Sequence, residues 1–329
     1  MLKVFEAFAG YGSQAMALHR LKENFPSFDY EVVGISEIDK YALQAYEAVH
    51  GHCPNYGDIS KIDWTSVPDF GLFTYSFPCQ DISNAGRQKG FAEGAETRSS
   101  LLWECRRVIE QKRPKYLVME NVKNLVSKKF MPELHKWIAE LDAFGYTNYM
   151  QVLDASDYGV PQSRKRVFLV SILGDNQGYI FPQPLPLKMQ MADLLDDEVN
   201  AKYYLSEQLS TFNNIRGKSR IKQVGQLYDD ADRAFKNPQC GRVYAPDGLS
   251  PTINTCGGGR RVPKILLAHN VIRELTPREC FRLMGVHDGD IDKIQNAGIS
   301  KTQCYKLAGN SIVVDVLYYL LKNLLIIKL

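Results

Sequence analysis

One cysteine stands where the chain could do covalent chemistry, in the segment Ser76–Gln80. Cys79 follows an apolar, strand-like run and a proline, so the thiol would be held rigidly at the end of a buried strand. The polar, glycine-rich stretch after it, Asp81–Gly94, is too long for a tight connection and typical of a functional loop. A thiolate there would be a nucleophile, whereas the alternative is a buried structural cysteine.

Three charged side chains are further candidates for chemistry. Glu120 ends the apolar run that begins at Tyr116, and a carboxyl group there could donate or share a proton near neutrality. An ordinary carboxylate at a helix start is the simpler alternative. Arg164 and Arg166 alternate at the start of a later strand, so they would point to one face, which favours an anion or a polar ligand beside them.

The N-terminal strand runs into a turn, Phe8–Ser13, with glycines that would let the backbone approach a ligand and a serine that could cap the next helix. Glu37 follows Gly12 by 25 residues and suits a ribose diol, and Asp58 could meet an adenine amino group. A two-glycine turn alone is more often just a turn. Together these residues predict a nucleoside pocket, and no phosphate-binding P-loop motif occurs.

Strand-like and helical patterns alternate up to about Leu173 and predict an α/β fold with a doubly wound, mostly parallel sheet. A proline-rich stretch, Gly178–Pro186, marks a domain boundary. The chain is then irregular to about Asn270, and a capped helix with proline in its first turn begins at Thr276. We expect strands at Lys3–Phe8, Tyr30–Ser36, Gly71–Phe77, Tyr116–Glu120, Tyr149–Leu153 and Arg166–Leu173.

The composition is that of a globular protein, with 45% apolar and 23% charged residues in 329. Charges interrupt the most apolar stretch, Ile312–Leu329, and Glu6 interrupts the N-terminal one, so we expect neither a membrane span nor secretion. The seven cysteines form no C-x-x-C pair, which favours a reducing cytosol and a cytoplasmic protein. For His50, His52 and Cys53 a solvated turn is a better interpretation than a metal site.

The charge distribution indicates an anionic partner. Residues Ala201–Lys264 contain eleven Lys or Arg against five Asp or Glu, a balance of +6, whereas the whole chain carries only +3. A basic segment on a mildly acidic body is typical of a module that contacts phosphates, although solvated basic loops are also common.

Six motifs in order give the chain a clear resemblance. They are Phe8-Ala-Gly-Tyr-Gly-Ser, Phe77-Pro-Cys-Gln, Glu120-Asn-Val, Gln162-Ser-Arg-Lys-Arg, Arg278-Glu-Cys-Phe-Arg-Leu-Met-Gly and Gly309-Asn-Ser-Ile-Val. With them the chain resembles the C5-cytosine DNA methyltransferases of the compact bacterial type. It departs from them mildly at Glu6-Ala7, where Asp-Leu is more usual, and at Ser13, where a glycine is common. The resemblance implies the fold of S-adenosylmethionine-dependent methyltransferases.

The resemblance also implies catalytic roles. Cys79 would attack C6 of a flipped-out cytosine, and Glu120 would bind N3 and the exocyclic amine. Arg166 would hold O2 with Arg164 close by, and the Pro78 backbone would help to position the base.

For S-adenosylmethionine, the implied binding residues lie in the first part of the chain and in the last motif. They are Phe8, Gly10, Gly12, Glu37, Ile38, Asp58, Ile59, Pro78, Asn310 and Ser311. The catalytic and cofactor-binding domain would then comprise residues 1–182, and residues 273–329 would return to it. Residues 183–272 would form a smaller, irregular, β-containing target-recognition domain.

The implied DNA contacts lie after the nucleophile and in the target-recognition domain. They are Ser83, Arg87, Gln239, Arg242, Thr252, Arg260 and Arg261. Gln239 would fill the gap left by the flipped base, although a surface loop glutamine is an equal alternative. Thr252 would contact a backbone phosphate, and Arg260 and Arg261 could reach phosphates or guanine edges.

Three rival functions remain open. The chain could methylate RNA, as tRNA-modifying relatives do, but those usually have a smaller recognition region. It could be an inactive DNA-binding homologue, although every reactive residue is intact. A thiol enzyme acting on small molecules would leave the basic segment unexplained. We expect a monomer acting on double-stranded DNA, with a restriction endonuclease for the same site as an optional partner.

Overall fold

The computed structural model describes residues 1–83, 89–94, 97–175, 177–209, 211–212, 220–227, 238–257 and 261–327. The chain divides into two compact units. Unit 1 comprises residues 1–153, 165–183 and 316–329, and unit 2 comprises residues 154–164 and 184–315. Residues 273–315 therefore group with residues 184–272, whereas the sequence interpretation joined them to the catalytic domain. The roles of the segments stay a prediction.

Unit 1 contains a six-stranded sheet in the order β2-β1-β3-β4-β6-β5. Its strands are β1 (Leu2–Ala7), β2 (Tyr30–Ser36), β3 (Leu72–Tyr75), β4 (Tyr116–Val122), β5 (Tyr146–Asp154) and β6 (Lys165–Leu173). The pairs β1–β2, β1–β3 and β3–β4 are parallel, and β6 runs antiparallel to β4. This mixed α/β architecture with a mostly parallel sheet confirms the predicted fold class.

Helices connect the strands of unit 1. They are α1 (Ser13–Asn24), α2 (Lys40–His50), α3 (Glu104–Lys112) and α4 (Met131–Ala143), and α8 (Val314–Leu325) follows late in the chain. The residue at the N-cap of α1 is Gly12, which has no side chain to cap the helix, and Ser13 is already the first helical residue, so the prediction that Ser13 caps this helix was wrong. The glycine holds a left-handed conformation that a serine would adopt only with strain.

The core of unit 1 explains why the sheet strands read as continuous apolar runs. Phe5, Phe73 and Leu117, from three neighbouring strands, are all fully buried. Trp64 packs against Phe5 with ring centroids 5.1 Å apart, and Trp137 of α4 lies in the same cluster. Because a parallel sheet is covered on both faces, its strands must be apolar on both sides, and their carboxyl ends are left for polar chemistry.

Unit 2 contains a sheet of short strands in the order β7-β12-β11-β10-β9-β8. The strands are β7 (Tyr204–Leu205), β8 (Thr211–Phe212), β9 (Gln223–Gln226), β10 (Arg242–Tyr244), β11 (Lys264–Leu266) and β12 (Ile272–Glu274). The helices are α5 (Pro277–Arg282), α6 (Asp288–Asn296) and α7 (Lys301–Asn310). Among the described helices, none is long and apolar enough to cross a membrane.

The start of α5 confirms the capping pattern seen in the sequence. The Thr276 side chain accepts a hydrogen bond from the Glu279 backbone, Glu279 accepts one from the Thr276 backbone, and Pro277 occupies the first turn. Glu279 is fully buried and also pairs with Arg273 at 2.6 Å. One carboxylate thus caps the helix and fixes β12 to it.

Candidate active site

Cys79 lies four residues beyond the end of β3, at the carboxyl edge of the parallel sheet. Its backbone carbonyl accepts hydrogen bonds from the Ile82 amide at 3.0 Å and from the Ser83 amide at 2.8 Å, which close a tight turn directly after the thiol. Cys79 is partly exposed, whereas the other six cysteines, all within the described part of the chain, are buried.

The buried cysteines are poor nucleophiles for a physical reason. Burial in an apolar environment disfavours the thiolate and raises the thiol pKa. It does so to about 12 for Cys53 and Cys256, to about 11 for Cys304, and well above the usual value for Cys105 and Cys280. Among the described residues, Cys79 is therefore the cysteine that a substrate can reach.

Two buried polar residues that the sequence interpretation missed hold the chain around Cys79. The Ser99 hydroxyl donates to the Pro78 carbonyl at 2.5 Å and accepts from the Asp81 backbone at 3.3 Å. The Asn121 side-chain amide donates to the Phe77 carbonyl at 3.0 Å. The nucleophile segment is thus fixed on both sides, and only the position of Asn121 within the Glu120-Asn-Val motif gave any signal of this role.

Glu120 and Arg166 form an ion pair on neighbouring strands. Glu120 is near the end of β4, and Arg166 near the start of the antiparallel β6. The Arg166 Nε lies 3.2 Å from the Glu120 Oε1, and the two side chains are only 16% and 10% exposed. Such a pair fixes the carboxyl group at the same sheet edge as Cys79, because β3 and β4 are parallel neighbours.

Arg164 has different surroundings. Its buried guanidinium donates to the carbonyls of Ile253 (2.8 Å), Gly309 (3.0 Å) and Ser311 (2.6 Å), all within unit 2. Gln162 bonds similarly, donating to the Leu283 carbonyl at 2.6 Å. The structure therefore makes Arg164 a link between backbone segments of unit 2. The expectation that it shares a face with Arg166 and its catalytic role both stay predictions.

The turn after β1 provides an open surface. Phe8, Gly10 and Gly12 all have positive φ angles, of 56°, 59° and 84°. A Cβ on Gly12 would overlap the rings of His50 and Tyr46, whereas one on Gly10 would meet no atom within 4 Å. Gly12 is thus needed for packing inside the protein, and Gly10 leaves the backbone accessible to a ligand.

Glu37, the residue after β2, is held beside this turn. Its Oε2 accepts from the Gly10 backbone at 2.8 Å, and its Oε1 accepts from Ile38 at 2.8 Å and Asp39 at 2.7 Å. The Asn55 side chain bonds both the amide and the carbonyl of Glu37. Since each carboxylate oxygen has two lone pairs, Oε2 can accept one more hydrogen bond, such as that of a ribose hydroxyl.

The remaining cofactor candidates of unit 1 differ in exposure. Ile38 is 77% exposed, an unusual state for isoleucine that suits the face of an aromatic ring. Asp58 caps a short turn by accepting from the Ser60 amide and hydroxyl, which lower the pKa of Asp58. The Ile59 side chain is buried in the core, so only its backbone could reach a ligand.

These residues fit S-adenosylmethionine. The open backbone at Gly10 leaves room for the ligand to approach the turn. The Glu37 acceptor suits a ribose diol, and the exposed Ile38 suits the face of an adenine ring. Pro78 is partly exposed. In unit 2, Asn310 is exposed at the end of α7 and Ser311 follows it, partly buried. Gly309 contacts the Asn254 backbone so closely that a side chain there would clash.

The predicted DNA-contacting residues are placed unevenly. Ser83 lies in the turn after Cys79, and Arg242 begins β10, partly buried. Thr252 is exposed, but its hydroxyl donates to the Ser163 carbonyl at 2.6 Å. Arg261 is exposed. Two candidates, Arg87 and Arg260, and the Gln239 side chain lie outside the described part.

Metal ligands do not cluster in the described residues, where no group of three His, Cys, Asp or Glu side chains could hold an ion. His50 Nε2 lies 3.2 Å from the Tyr11 carbonyl, and His52 faces Glu47 on the surface. Cys53 is buried, in contrast to the solvated turn expected for it. The chain folds there to place Cys53 against β2.

The sequence of this chain matches those of known proteins over almost its whole length. The sequence profile of the C-5 cytosine-specific DNA methylases matches residues 2–325. The type II methyltransferase M2.ScrFI of Lactococcus lactis subsp. cremoris is 40% identical, covering 98% of this chain and 99% of the relative. The type II methyltransferase M.HhaI of Haemophilus parahaemolyticus is 31% identical, covering 98% and 94%.

Solved structures support the fold. The crystal structure of the S. pombe Dnmt2 methyltransferase matches with a TM-score of 0.71 at 20% identity, covering 99% of this chain and 98% of that one. A DNA modification methyltransferase encoded in an E. coli prophage matches with a TM-score of 0.68 at 20% identity, covering 98% of each chain. On the extent of the sequence matches, this chain is an enzyme that belongs to the family of C-5 cytosine-specific DNA methylases.

Proposed function

We propose that the protein methylates C5 of a flipped-out cytosine within a specific sequence of duplex DNA, through a covalent bond between Cys79 and C6. The observation that carries the proposal is the placement of a partly exposed thiol at the same sheet edge as a fixed carboxyl group, Glu120. S-adenosylmethionine, when bound, supplies an electrophilic methyl group. Gly10, Glu37 and Ile38 would hold it.

Cytosine C5 becomes nucleophilic only after the ring has been activated. The Cys79 thiolate forms a bond to C6, which breaks the aromaticity of the ring and places an electron pair on C5. Glu120, oriented by Arg166, shares a proton with N3 and so stabilises the charge that develops on the ring. C5 would then accept the methyl group that bound S-adenosylmethionine supplies, the methyl–sulfonium bond being the one that is given up. Loss of the C5 proton and expulsion of the thiolate restore the aromatic ring.

The cytosine must leave the helix to reach the thiol, since C6 is inaccessible in a stacked base pair. Unstacking costs a few kcal/mol, which protein–DNA contacts must offset. Double-stranded DNA is therefore the partner, and the exposed basic side chain of Arg261 in unit 2 supports phosphate contacts. The type II relatives belong to restriction–modification systems by name, so a cognate endonuclease is an optional further partner.

The test is transfer of labelled methyl from S-adenosylmethionine to duplex DNA, followed by nucleoside analysis. We expect label in 5-methylcytosine with the wild type and a loss of activity to background with Cys79→Ala. Thermal unfolding of the variant serves as the control for folding. Label in tRNA but not in DNA would replace the DNA assignment by an RNA one, and label in neither would favour a binding protein without turnover.

A further inference from the structure

The turn after β1, residues 8–12, is held from two sides. On the first side, the Ser36 carbonyl accepts from the Phe8 amide and the Glu37 carboxylate accepts from the Gly10 amide, both at 2.8 Å. On the second side, His50, the last residue of α2, contacts the later part of the turn. The function proposed above explains the first side and gives His50 no role.

His50 contacts the turn through its imidazole ring. The Nε2 atom lies 3.2 Å from the Tyr11 carbonyl oxygen. A carbonyl oxygen accepts hydrogen bonds and cannot donate them, so Nε2 carries the hydrogen in this contact. A Cβ on Gly12 would overlap the same ring. The ring therefore lies directly against two successive residues of the turn.

The position of the His50 ring is itself fixed by packing. The Tyr46 ring, one helical turn earlier on α2, has its centroid 4.7 Å from that of His50. Tyr46 is buried in a cluster with Ala9 of the turn, Ala15 of α1 and Ile35 of β2. Because protein interiors are closely packed, a ring that rests on this cluster keeps its Nε2 in one place relative to the turn.

We propose that His50 is a positioning residue for the cofactor, whose Nε2–H bond to the Tyr11 carbonyl sets the conformation of the turn that binds S-adenosylmethionine. The proposal rests on the function proposed above and adds to it a residue that acts through the turn. The turn takes positive φ angles at three of its five residues, Phe8 among them. A non-glycine residue keeps such a conformation only where its surroundings fix it. Loss of the His50 contact would let the turn populate other conformations, and the apparent affinity for the cofactor falls with the fraction that stays competent to bind.

The test measures equilibrium binding of S-adenosylmethionine to the full-length protein by isothermal titration calorimetry. His50→Phe keeps a ring against Tyr46 and removes the donor, whereas His50→Gln keeps a donor and removes the ring. The net contribution of one hydrogen bond corresponds to a roughly three- to tenfold change in an equilibrium constant, so we expect the Kd of His50→Phe to rise by that factor. The KM for the cofactor should rise equally with kcat retained at saturating cofactor, and His50→Gln should bind as the wild type does.

His52 provides the matched control, because it follows two residues later, is exposed and faces Glu47 on the surface. His52→Phe should have the Kd of the wild type. An unchanged Kd in His50→Phe would overturn the proposal, and so would equal rises in His50→Phe and His50→Gln or in His50→Phe and His52→Phe. Thermal unfolding without cofactor checks the fold of each variant. His50→Ala, which also lacks the donor, takes the place of His50→Phe if the larger ring prevents folding.

The binding measurement also separates this proposal from the proposed function. A wild type that binds S-adenosylmethionine and methylates no DNA would overturn the proposed function, while the comparison of His50→Phe with His50→Gln would still decide the role of His50. A wild type that does not bind S-adenosylmethionine would overturn both.

Discussion

Replacing Asn121 by alanine should separate the positioning of the nucleophile from its chemistry. The Asn121 side chain is buried and makes two described hydrogen bonds, donating to the Phe77 carbonyl at 3.0 Å and accepting from the Val122 backbone at 2.8 Å. It touches no reacting atom in the proposed mechanism. It fixes the segment after β3 at Phe77, two residues before Cys79.

The magnitude follows from the groups left without partners. A buried donor or acceptor that loses its hydrogen bond costs about 1–3 kcal/mol. Val122 is only partly buried, so its amide can be rehydrated, and the Phe77 carbonyl alone is left without a partner; we expect a loss of about 1–3 kcal/mol in the free energy of unfolding. A shift of about 1 Å in the thiol would lower kcat by roughly 10²-fold.

The assay is methyl transfer under saturating DNA and cofactor, together with urea unfolding. Tyr146→Phe is the matched control, since the buried Tyr146 hydroxyl donates to the Pro114 carbonyl at 2.7 Å, at the opposite end of β4. We expect a comparable loss of stability in the control with kcat within about twofold of the wild type. Asn121→Asp, which keeps the size but loses the donor to Phe77, should lower kcat at least as much as alanine.

An Asn121→Ala protein with the kcat of the wild type would refute this reasoning. It would show that the Phe77 contact contributes to stability alone. Equal losses of kcat in Asn121→Ala and Tyr146→Phe would refute it as well, because activity would then follow global stability rather than the position of Cys79.

Two further predictions concern the cofactor side of unit 1. Gly12→Ala should lower the melting temperature more than Gly10→Ala, because only the Cβ at position 12 would meet the ring of His50. Gly10→Ala should mainly raise the KM for the cofactor. Differential scanning fluorimetry would measure the first effect and initial rates the second. Burial raises the pKa of the Glu6 carboxyl from its ordinary value of 4.5 to about 8. The folded state therefore holds a proton that the unfolded state has lost, so stability declines between about pH 4.5 and 8, by up to about 1.4 kcal/mol per pH unit. Glu6→Gln should remove this decline in urea titrations at several pH values, and an unchanged pH profile would contradict the assignment.

Much of the fold of unit 1 was predictable because local patterns and global packing agree there. The predicted strand Tyr30–Ser36 matches β2 residue for residue, and the others differ from the structure only at their ends. Parallel strands covered on both faces must be apolar throughout. The first polar residue after each apolar run, such as Glu37 or Glu120, therefore indicates that the strand is close to its end. The cap at Thr276 was also predictable, because the capping box is a local motif.

Other features depend on contacts between residues far apart in sequence. Arg164 and Arg166 are two residues apart, yet one bonds three backbone carbonyls of unit 2 and the other pairs with Glu120. Strand alternation alone could not separate them, since Arg164 precedes β6 and the periodicity does not extend to it. Ser99 gave no signal either, because a serine in a polar stretch does not reveal that its hydroxyl will be buried against Pro78.

The central claim is the bond between Cys79 and C6 of the target cytosine. It is tested most directly with duplex DNA that contains 5-fluorocytosine, in which fluorine replaces the C5 proton whose loss would release the thiolate. Incubated with this DNA and S-adenosylmethionine, the wild type should form a denaturation-resistant complex, and mass spectrometry of the digest should place the modified base on Cys79. A complex that forms equally well with Cys79→Ser, or a modified base on another residue, would contradict the account.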